Sequence, residues 1–582
     1  MSDYIAPSSD YRFLAGHVLA PEYLQMPGAA DADAATLSEI VATLGTFVAE
    51  RLVPLSVLAD EEGCTVADGS VRTPRGYPEV YKELAAAGWA SLHVAPEHGG
   101  QGLPLAAGLA CDEVLSSGSM SFALYASLRL GVYKVIDALG SDVLKSDYLS
   151  RIGSGEWNGT MCLTEPQCGT DLSLMRTTAS DTGDGTYRIS GTKIFITGGD
   201  HDLTENIAHL VLARVQGGAS GLAGLGLFIV PKFRKNASGA WTVPNGVRCP
   251  RVEHKLGIHA SATAELLFED AHGWIVGTPG TGLAGMFIMM KLARLGTSFQ
   301  AIGVAEIASQ KALAYARERV QGRDLVGGRK GSVPIIEHPN IRRELVRMRT
   351  LTSSARMLAF FASITQETTA SPDPALAVQS ERLLSMLMPL SKVVASEYGV
   401  EVATAAMQTL GGHGYIRESG VEVLLRDVQI LPIYEGTNDV QSLDIVLRRL
   451  EEGCPELLAW MRGQVAFLPQ GRRAAQVSRT LDLIEGAAVA LAGQLKASPF
   501  SALEMAREFL WLVGHGVMGV LWLRTLQTID QGDKLPINAQ SKRAEADFYF
   551  AFVHPEVDVR AARLNAASEV QDALLAHELD FI

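Results

Sequence analysis

The chain is poor in the features that mark several large protein classes. Cysteine is sparse and scattered: Cys64, Cys111, Cys162, Cys168, Cys249 and Cys454, six in 582 residues. None stands in a Cys-x-x-Cys pair, so a structural zinc site is not expected. Such usage suits a reducing compartment, and a cytoplasmic location is the expectation. Positive charge is in deficit: 50 Lys and Arg stand against 64 Asp and Glu, a net charge of −14. That argues against a broad nucleic-acid footprint. Long apolar runs are short of a membrane span. The longest, Phe509 to Leu523, is interrupted by His515 and falls below the roughly 18–20 residues a bilayer requires. The opening residues Met1 to Pro7 show neither a basic n-region nor an apolar h-region, so no signal peptide is expected.

What is present is ample apolar material, 47% of the residues. A chain this long exceeds one core, and two to four domains are expected. Residues 1–35 form an arm punctuated by Pro7, Pro21 and Pro27. Over 36–158 the pattern is helical: Leu37, Ile40, Val41 and Leu44 recur at i, i+3, i+4 and i+7, one buried stripe. Glu97 to Pro104 reads as a turn between helices. Over 159–280 the period changes to two, with Tyr187 and Ile189, then Ile194 and Ile196, alternating with polar residues. Antiparallel β structure is expected there. Helical periodicity returns at 281–453, with Leu292, Leu295, Phe299 and Ile302 on one face. A loop is expected from Gly322 to Pro339 and long helices near 340–368, 376–411 and 437–453. Residues 454–582 form a further helical extension. Long helices with few strands imply an up-and-down bundle.

The most informative short segment is Ile433-Tyr434-Glu435-Gly436-Thr437-Asn438. A carboxylate between an aromatic ring and a glycine loses water on one side, and desolvation lifts a carboxyl towards the range of a general base. On these residues alone, a Glu stabilised near a helix N-terminus is the favoured reading.

Tyr434 to Asn438 resembles the catalytic-base motif of the acyl-CoA dehydrogenases. Three more signatures of that family occur upstream in the expected order: Cys162 to Asp171 (CLTEPQCGTD), Gly191 to Thr197 (GTKIFIT) and Gln408 to Tyr415 (QTLGGHGY). Their order, over nearly the whole chain, makes the resemblance specific. It implies a multidomain α+β fold: an N-terminal helical domain, a central antiparallel β-barrel, a C-terminal four-helix bundle carrying the base, and FAD at their junction. The arm and the C-terminal extension resemble a longer bacterial subgroup, as do Tyr11 to Leu14, Gly198 to Leu203 and Met286 to Leu295.

The resemblance implies α,β-dehydrogenation of an acyl-CoA. Glu435 would take the α-proton and flavin N5 the β-hydride. The Glu435 N–H and a ribityl hydroxyl would hold the thioester oxygen. It assigns the cofactor to Leu163, Thr164, Gly169, Thr170, Phe195, Thr197, Arg319, Gln321, Gln408, Gly411, Gly412, Thr437 and Asp439. Arg294, Tyr434 and Gly436 would meet the substrate. Thr170 stands where relatives more often have Ser, and Phe195 where many have Trp. The usual Phe-Gly after the polar residue is shortened to Gly322 beyond Gln321. Other readings of the same residues stay open: a turn for the 164–171 loop, a strand residue for Phe195, an exposed ion pair for Arg319, a helix C-cap for Gly411 and Gly412, a bundle salt bridge for Arg294. Met286, Met289 and Met290 read as core before acyl channel, and His413 as structural. A homodimer or higher oligomer follows from Arg319 and Gln408, which match positions that complete a neighbour's FAD site. An electron-transferring flavoprotein is the implied acceptor. Substrates range from a short sulfur-containing acyl-CoA to a fatty acyl-CoA. An acyl-CoA oxidase and a non-catalytic nucleic-acid-binding flavoprotein are the alternatives.

Overall fold

The computed structural model describes residues 4–67, 69–532 and 534–576, with side chains to residue 566. It divides into two compact units. One comprises Thr43–Gly296 with the stretch ending at Ile5; the other comprises Ala6–Ala42 with the chain from Thr297 onward.

In the first unit, helices Leu105–Gly118, Met120–Leu139 and Asp142–Ser154 precede a seven-stranded sheet. Ser119 fixes the start of the middle helix by accepting the Phe122 N–H at 3.3 Å, an N-cap. Ser141 does the same for the third through the Leu144 N–H at 3.4 Å. The strand Asn206–Val215 lies inside the sheet, and its run NIAHLVLA is buried throughout. Burial on both faces explains why it reads as a continuous apolar run and not as alternation. Leu210, Leu212, Leu227 and Ile229 form a core with Val132, Tyr133 and Ile136 of the helix Met120–Leu139. Met286 and Met289 are in this core and Met290 packs against it.

The sheet differs from the antiparallel barrel expected. Trp157–Cys162 and Thr178–Asp181 both pair with Asn206–Val215 in parallel, so the sheet is mixed. The long crossing segments before Asn206 permit parallel entry, as a tight hairpin would not. A small hairpin, Thr65–Ala67 with Ser70–Arg72, also interrupts the N-terminal helices.

The second unit is built on long helices: residues 297–318 of Gly282–Glu318, then Pro339–Thr368, Pro374–Leu410 and Ala506–Gln531. The arm from Ala6 and the described part of the extension belong to this unit. Glu22 accepts two bonds from Arg524, at 2.6 and 2.8 Å. By length and hydropathy, the helical stretch 34–62 and the helix Ala506–Gln531 would pass for membrane spans. The latter's apolar window is wholly buried, as in a core helix, and the former buries Leu37, Val41 and Leu44 while exposing Glu39.

Two local expectations change. The stretch expected to be a loop contains a hairpin, Val320–Arg323 with Ser332–Pro334, whose strands are too short to show a period. The helix expected over 437–453 is broken: Asn438–Asp444 runs into a π turn at Ile445–Arg449, and a new helix begins at Gly453.

Candidate active site

In the second unit, the segment after Leu431 turns back on itself. The Tyr434 N–H bonds to the Ile430 carbonyl at 3.1 Å and the Asn438 N–H to the Pro432 carbonyl at 2.9 Å. Glu435 sits at the apex with φ 58°, followed by Gly436 at φ 83°. A non-glycine residue in the left-handed region costs on the order of 1–3 kcal/mol and persists only where its surroundings hold it. Those surroundings are visible. Gln441 Nε2 donates to the Glu435 carbonyl at 3.1 Å and lies 3.4 Å from the Gly436 carbonyl. Lys392 Nζ donates to the Gly436 carbonyl at 2.9 Å and to Asn438 Oδ1 at 2.8 Å. Lys392 is fully buried and Gln441 nearly so.

Glu435 itself is half-buried. Tyr434 gives its hydroxyl to Gln300 Oε1. Burial, then the charge of Glu435, pushes the Tyr434 hydroxyl well above its ordinary range, so it stays a donor. The Thr437 hydroxyl accepts the Val440 N–H at 3.2 Å and caps the helix Asn438–Asp444. Asp439 is exposed and pairs with Arg507 at 3.1 Å.

In the same unit Arg319 follows the end of one long helix, and Gln408, Gly411 and Gly412 lie at the end of another. Tyr315 Oη, one turn before Arg319, and His413 Nδ1, next to Gly412, are 3.3 Å apart. Arg319, Gln321, Gln408, Gly411 and Gly412 are exposed. Gln408 lines an open cleft of about 480 Å³ with Asn340, Arg347 and Glu401.

In the first unit, the loop 163–171 is pinned to the strand Tyr187–Thr197. Ile194 N donates to the Thr164 carbonyl at 2.9 Å, and Lys193 Nζ to the Leu163 carbonyl at 2.9 Å. Lys193 also pairs with Glu165 at 2.8 Å, both side chains buried. Gly169 and Thr170 are exposed at the loop's tip. Strict alternation would put Lys193, Phe195 and Thr197 on one face. Instead the pairing shifts between Lys193 opposite Leu266 and Ile196 opposite Ala264. This is a bulge: Phe195 adopts φ 59° and is 59% exposed, while Lys193 is buried. Arg294 is half-buried on the helix Gly282–Glu318.

These residues suit a flavin nucleotide. An apolar ring, Phe195, is presented to solvent on bulged backbone, on the strand that also carries Thr197 and that holds the loop bearing Thr164 and Thr170. Around Gly169 a Cβ would meet nothing within 4 Å, leaving open space at the loop.

The motif reading singled out neither Lys392, Glu397 and Gln441, nor a role for Lys193, Glu165 and Asn438. The available signal was charge inside apolar helix: Lys392 interrupts the run from Leu383 to Val394.

Comparison with known proteins accords with this geometry. Family models match consecutively: acyl-CoA dehydrogenase N-terminal domain over 35–156, middle domain over 160–271 and C-terminal domain over 280–451. A fourth, acetyl-CoA dehydrogenase C-terminal like, matches 461–573. The chain belongs to the acyl-CoA dehydrogenase family, and is a flavoprotein-family oxidoreductase. It is 38% identical to 3-methylmercaptopropionyl-CoA dehydrogenase of Ruegeria pomeroyi, over 99% of this chain and 100% of that one. It is 32% identical to the broad-specificity linear acyl-CoA dehydrogenase FadE5 of Mycobacterium tuberculosis, over 85% and 84% of the two. Among solved structures, an acyl-CoA dehydrogenase complexed with FAD from Bacillus anthracis superposes with TM-score 0.76 at 22% identity, covering 93% of this chain and 90% of the other.

Proposed function

We propose that the chain oxidises an acyl-CoA thioester to its 2-enoyl-CoA, with Glu435 removing the α-proton. The observation that carries this is the left-handed backbone at Glu435, held from both sides by Gln441 and Lys392. Strain maintained at a half-buried carboxylate is characteristic of a working group. A thioester α-proton is weakly acidic, so base and carbonyl must be fixed relative to one another. The Glu435 N–H is the chain's own donor for the thioester oxygen. Arg294 supplies a cation for the phosphates of CoA, and Tyr434 and Gly436 border the thioester.

FAD, when bound, supplies the acceptor for the β-hydrogen. Leu163, Thr164, Gly169, Thr170, Phe195 and Thr197 would hold it in one unit. Arg319, Gln321, Gln408, Gly411, Gly412, Thr437 and Asp439 are the candidates in the other, the helix-end group serving a second copy's cofactor. Exposed Val320, Leu325, Val326, Tyr415 and Ile416 near those helix ends support a homodimer. An electron-transferring flavoprotein is the proposed acceptor and the cytoplasm the proposed location, the latter supported by six unpaired cysteines. The named relatives support either 3-methylmercaptopropionyl-CoA or a linear fatty acyl-CoA as substrate.

The test is anaerobic bleaching of the purified flavoprotein with acyl-CoAs from short sulfur-containing to long straight chains. Rapid bleaching with one class, and slow reoxidation by air, is expected. Bleaching by none would overturn the reading, and fast reoxidation by oxygen would make the protein an oxidase.

A further inference from the structure

The helix Ala506–Gln531 lies far along the chain from the base motif, yet it meets the residues that hold the base loop. It packs on the helices Pro374–Leu410 and Asn438–Asp444. At that junction Glu397 is gripped by both oxygens. Arg507 Nη2 donates to Oε1 at 2.9 Å, and Trp511 Nε1 to Oε2 at 3.2 Å. Oε1 also accepts from Asn438 Nδ2 at 3.0 Å. The other end of that amide, Oδ1, accepts from Lys392 Nζ, which donates in turn to the Gly436 carbonyl. Ser396 Oγ is 3.1 Å from the amide nitrogen and 3.3 Å from its oxygen.

Only one orientation of the Asn438 amide satisfies both neighbours. Flipped, its NH2 would face the Lys392 ammonium and its oxygen the Glu397 carboxylate, donor on donor and acceptor on acceptor. The orientation therefore depends on Glu397 staying where Arg507 and Trp511 keep it. Asn438 is 5% exposed and Lys392 fully buried, so water is a poor substitute for either partner. Arg507 adds a second hold at Asp439, 3.1 Å away.

We propose that the helix Ala506–Gln531 is a positioning element for the base. Arg507 and Trp511 orient Glu397, Glu397 orients the Asn438 amide, and Asn438 with Lys392 fixes the Gly436 carbonyl and the left-handed backbone at Glu435. This assigns the C-terminal extension a role in catalysis, and it rests on Glu435 being the base.

The test uses the full-length, FAD-loaded enzyme. Arg507→Met, Trp511→Phe and the double variant remove donors to Glu397; Arg507→Lys keeps the cation; Glu435→Gln is the control. The readouts are kcat, KM, FAD content, melting temperature, and exchange of the α-proton into deuterated water with an acyl-CoA analogue blocked at the β-carbon. In the double variant kcat should fall roughly ten- to a hundredfold, as small misplacements do. Exchange should fall in step, with KM within about threefold of wild type. Arg507→Lys should restore most of the loss. A merely structural role would lower the melting temperature and leave kcat per bound FAD unchanged, which would overturn the proposal. Trp511→Phe removes the N–H with the pyrrole half of the indole and keeps one six-membered aromatic ring, so it serves if the double variant does not fold: wild-type kcat and exchange in it would also overturn the proposal. If Glu435→Gln is inactive while the other variants behave as wild type, the positioning role alone fails. If Glu435→Gln is fully active, the base reading fails and this one with it.

Discussion

Lys193 and Glu165 form a buried ion pair at 2.8 Å, at the root of the loop 163–171. Glu165 also accepts the N–H groups of Arg176 and Thr177, at 2.7 and 3.0 Å. Burial alone would raise its carboxyl, but Lys193 and these bonds bring it down to about 2. Lys193 spends a further N–H on the Leu163 carbonyl. One buried cation therefore ties the loop, the strand and the carboxylate together.

Lys193→Met leaves Glu165 buried without its counter-charge, and a loss of about 3–5 kcal/mol is expected. The sign in pH follows from the depressed carboxyl. Its stabilisation is fully present above the ordinary 4.5 and is lost as pH falls towards about 2. Urea unfolding of both proteins at neutral pH and through that acid window checks this. The gap between them should narrow as the acid is added. FAD retention on gel filtration should fall in the variant, because the loop loses its anchor.

Gly436→Ala is expected to damage the base loop more than its one methyl suggests. The backbone there has φ 83°, and a Cβ would stand 2.5 Å from Gln441 Nε2, the group that holds the Glu435 carbonyl. A left-handed alanine costs on the order of 1 kcal/mol or more before any clash. Activity should fall while FAD content holds; an alanine variant with wild-type kcat would show that the loop tolerates another course.

How far these features could be read from the chain depends on their range. The Leu37, Val41 and Leu44 stripe is local periodicity, and all three residues are buried. The base motif was legible because its residues are consecutive. The hairpin at Val320–Pro334 was not: its strands have four and three residues, and its glycines read as loop. The bulge at Phe195 was hidden because it breaks the alternation that reveals a strand. The contacts of Glu397 with Asn438 and Arg507 span 41 and 110 residues, and no pattern of spacing encodes such a meeting. Nor does one encode parallel pairing, which depends on where distant strands enter the sheet.

The arm is expected to be a stabilising element through Asp10. Its carboxylate meets Lys542 at 2.8 Å, Arg349 at 3.4 Å and Arg356 at 3.7 Å. The two arginines continue to Glu306 at 2.8 and 2.6 Å. Burial alone would raise the Asp10 carboxyl, but the three cations hold it well below the ordinary 3.8. Its contribution is thus present above that value and lost below it. Asp10→Ala leaves three cations, Lys542, Arg349 and Arg356, facing only Glu306 and Glu545, one positive charge in excess inside the fold, and roughly 3–5 kcal/mol should be lost at neutral pH. Chemical denaturation at pH 7 measures it; a variant as stable as wild type would show the arm to be an ornament.

Glu435→Gln is expected to abolish turnover while leaving the fold and FAD in place. The amide is nearly isosteric with the carboxyl, so it can occupy the half-buried position on the same left-handed backbone, with Gln441 and Lys392 still holding the main chain. It cannot accept the α-proton. A missing general base costs about 10²–10⁴-fold or more in kcat. Binding of a CoA ester should persist, because Arg294 and not Glu435 is assigned to the phosphates. Stopped-flow bleaching at saturating acyl-CoA separates the two effects: a normal binding isotherm with almost no flavin reduction is expected. Bleaching at near wild-type rate would place the base elsewhere. It would also detach the strained backbone at Glu435 from the reaction, leaving that strain as a consequence of packing by Gln441 and Lys392 alone.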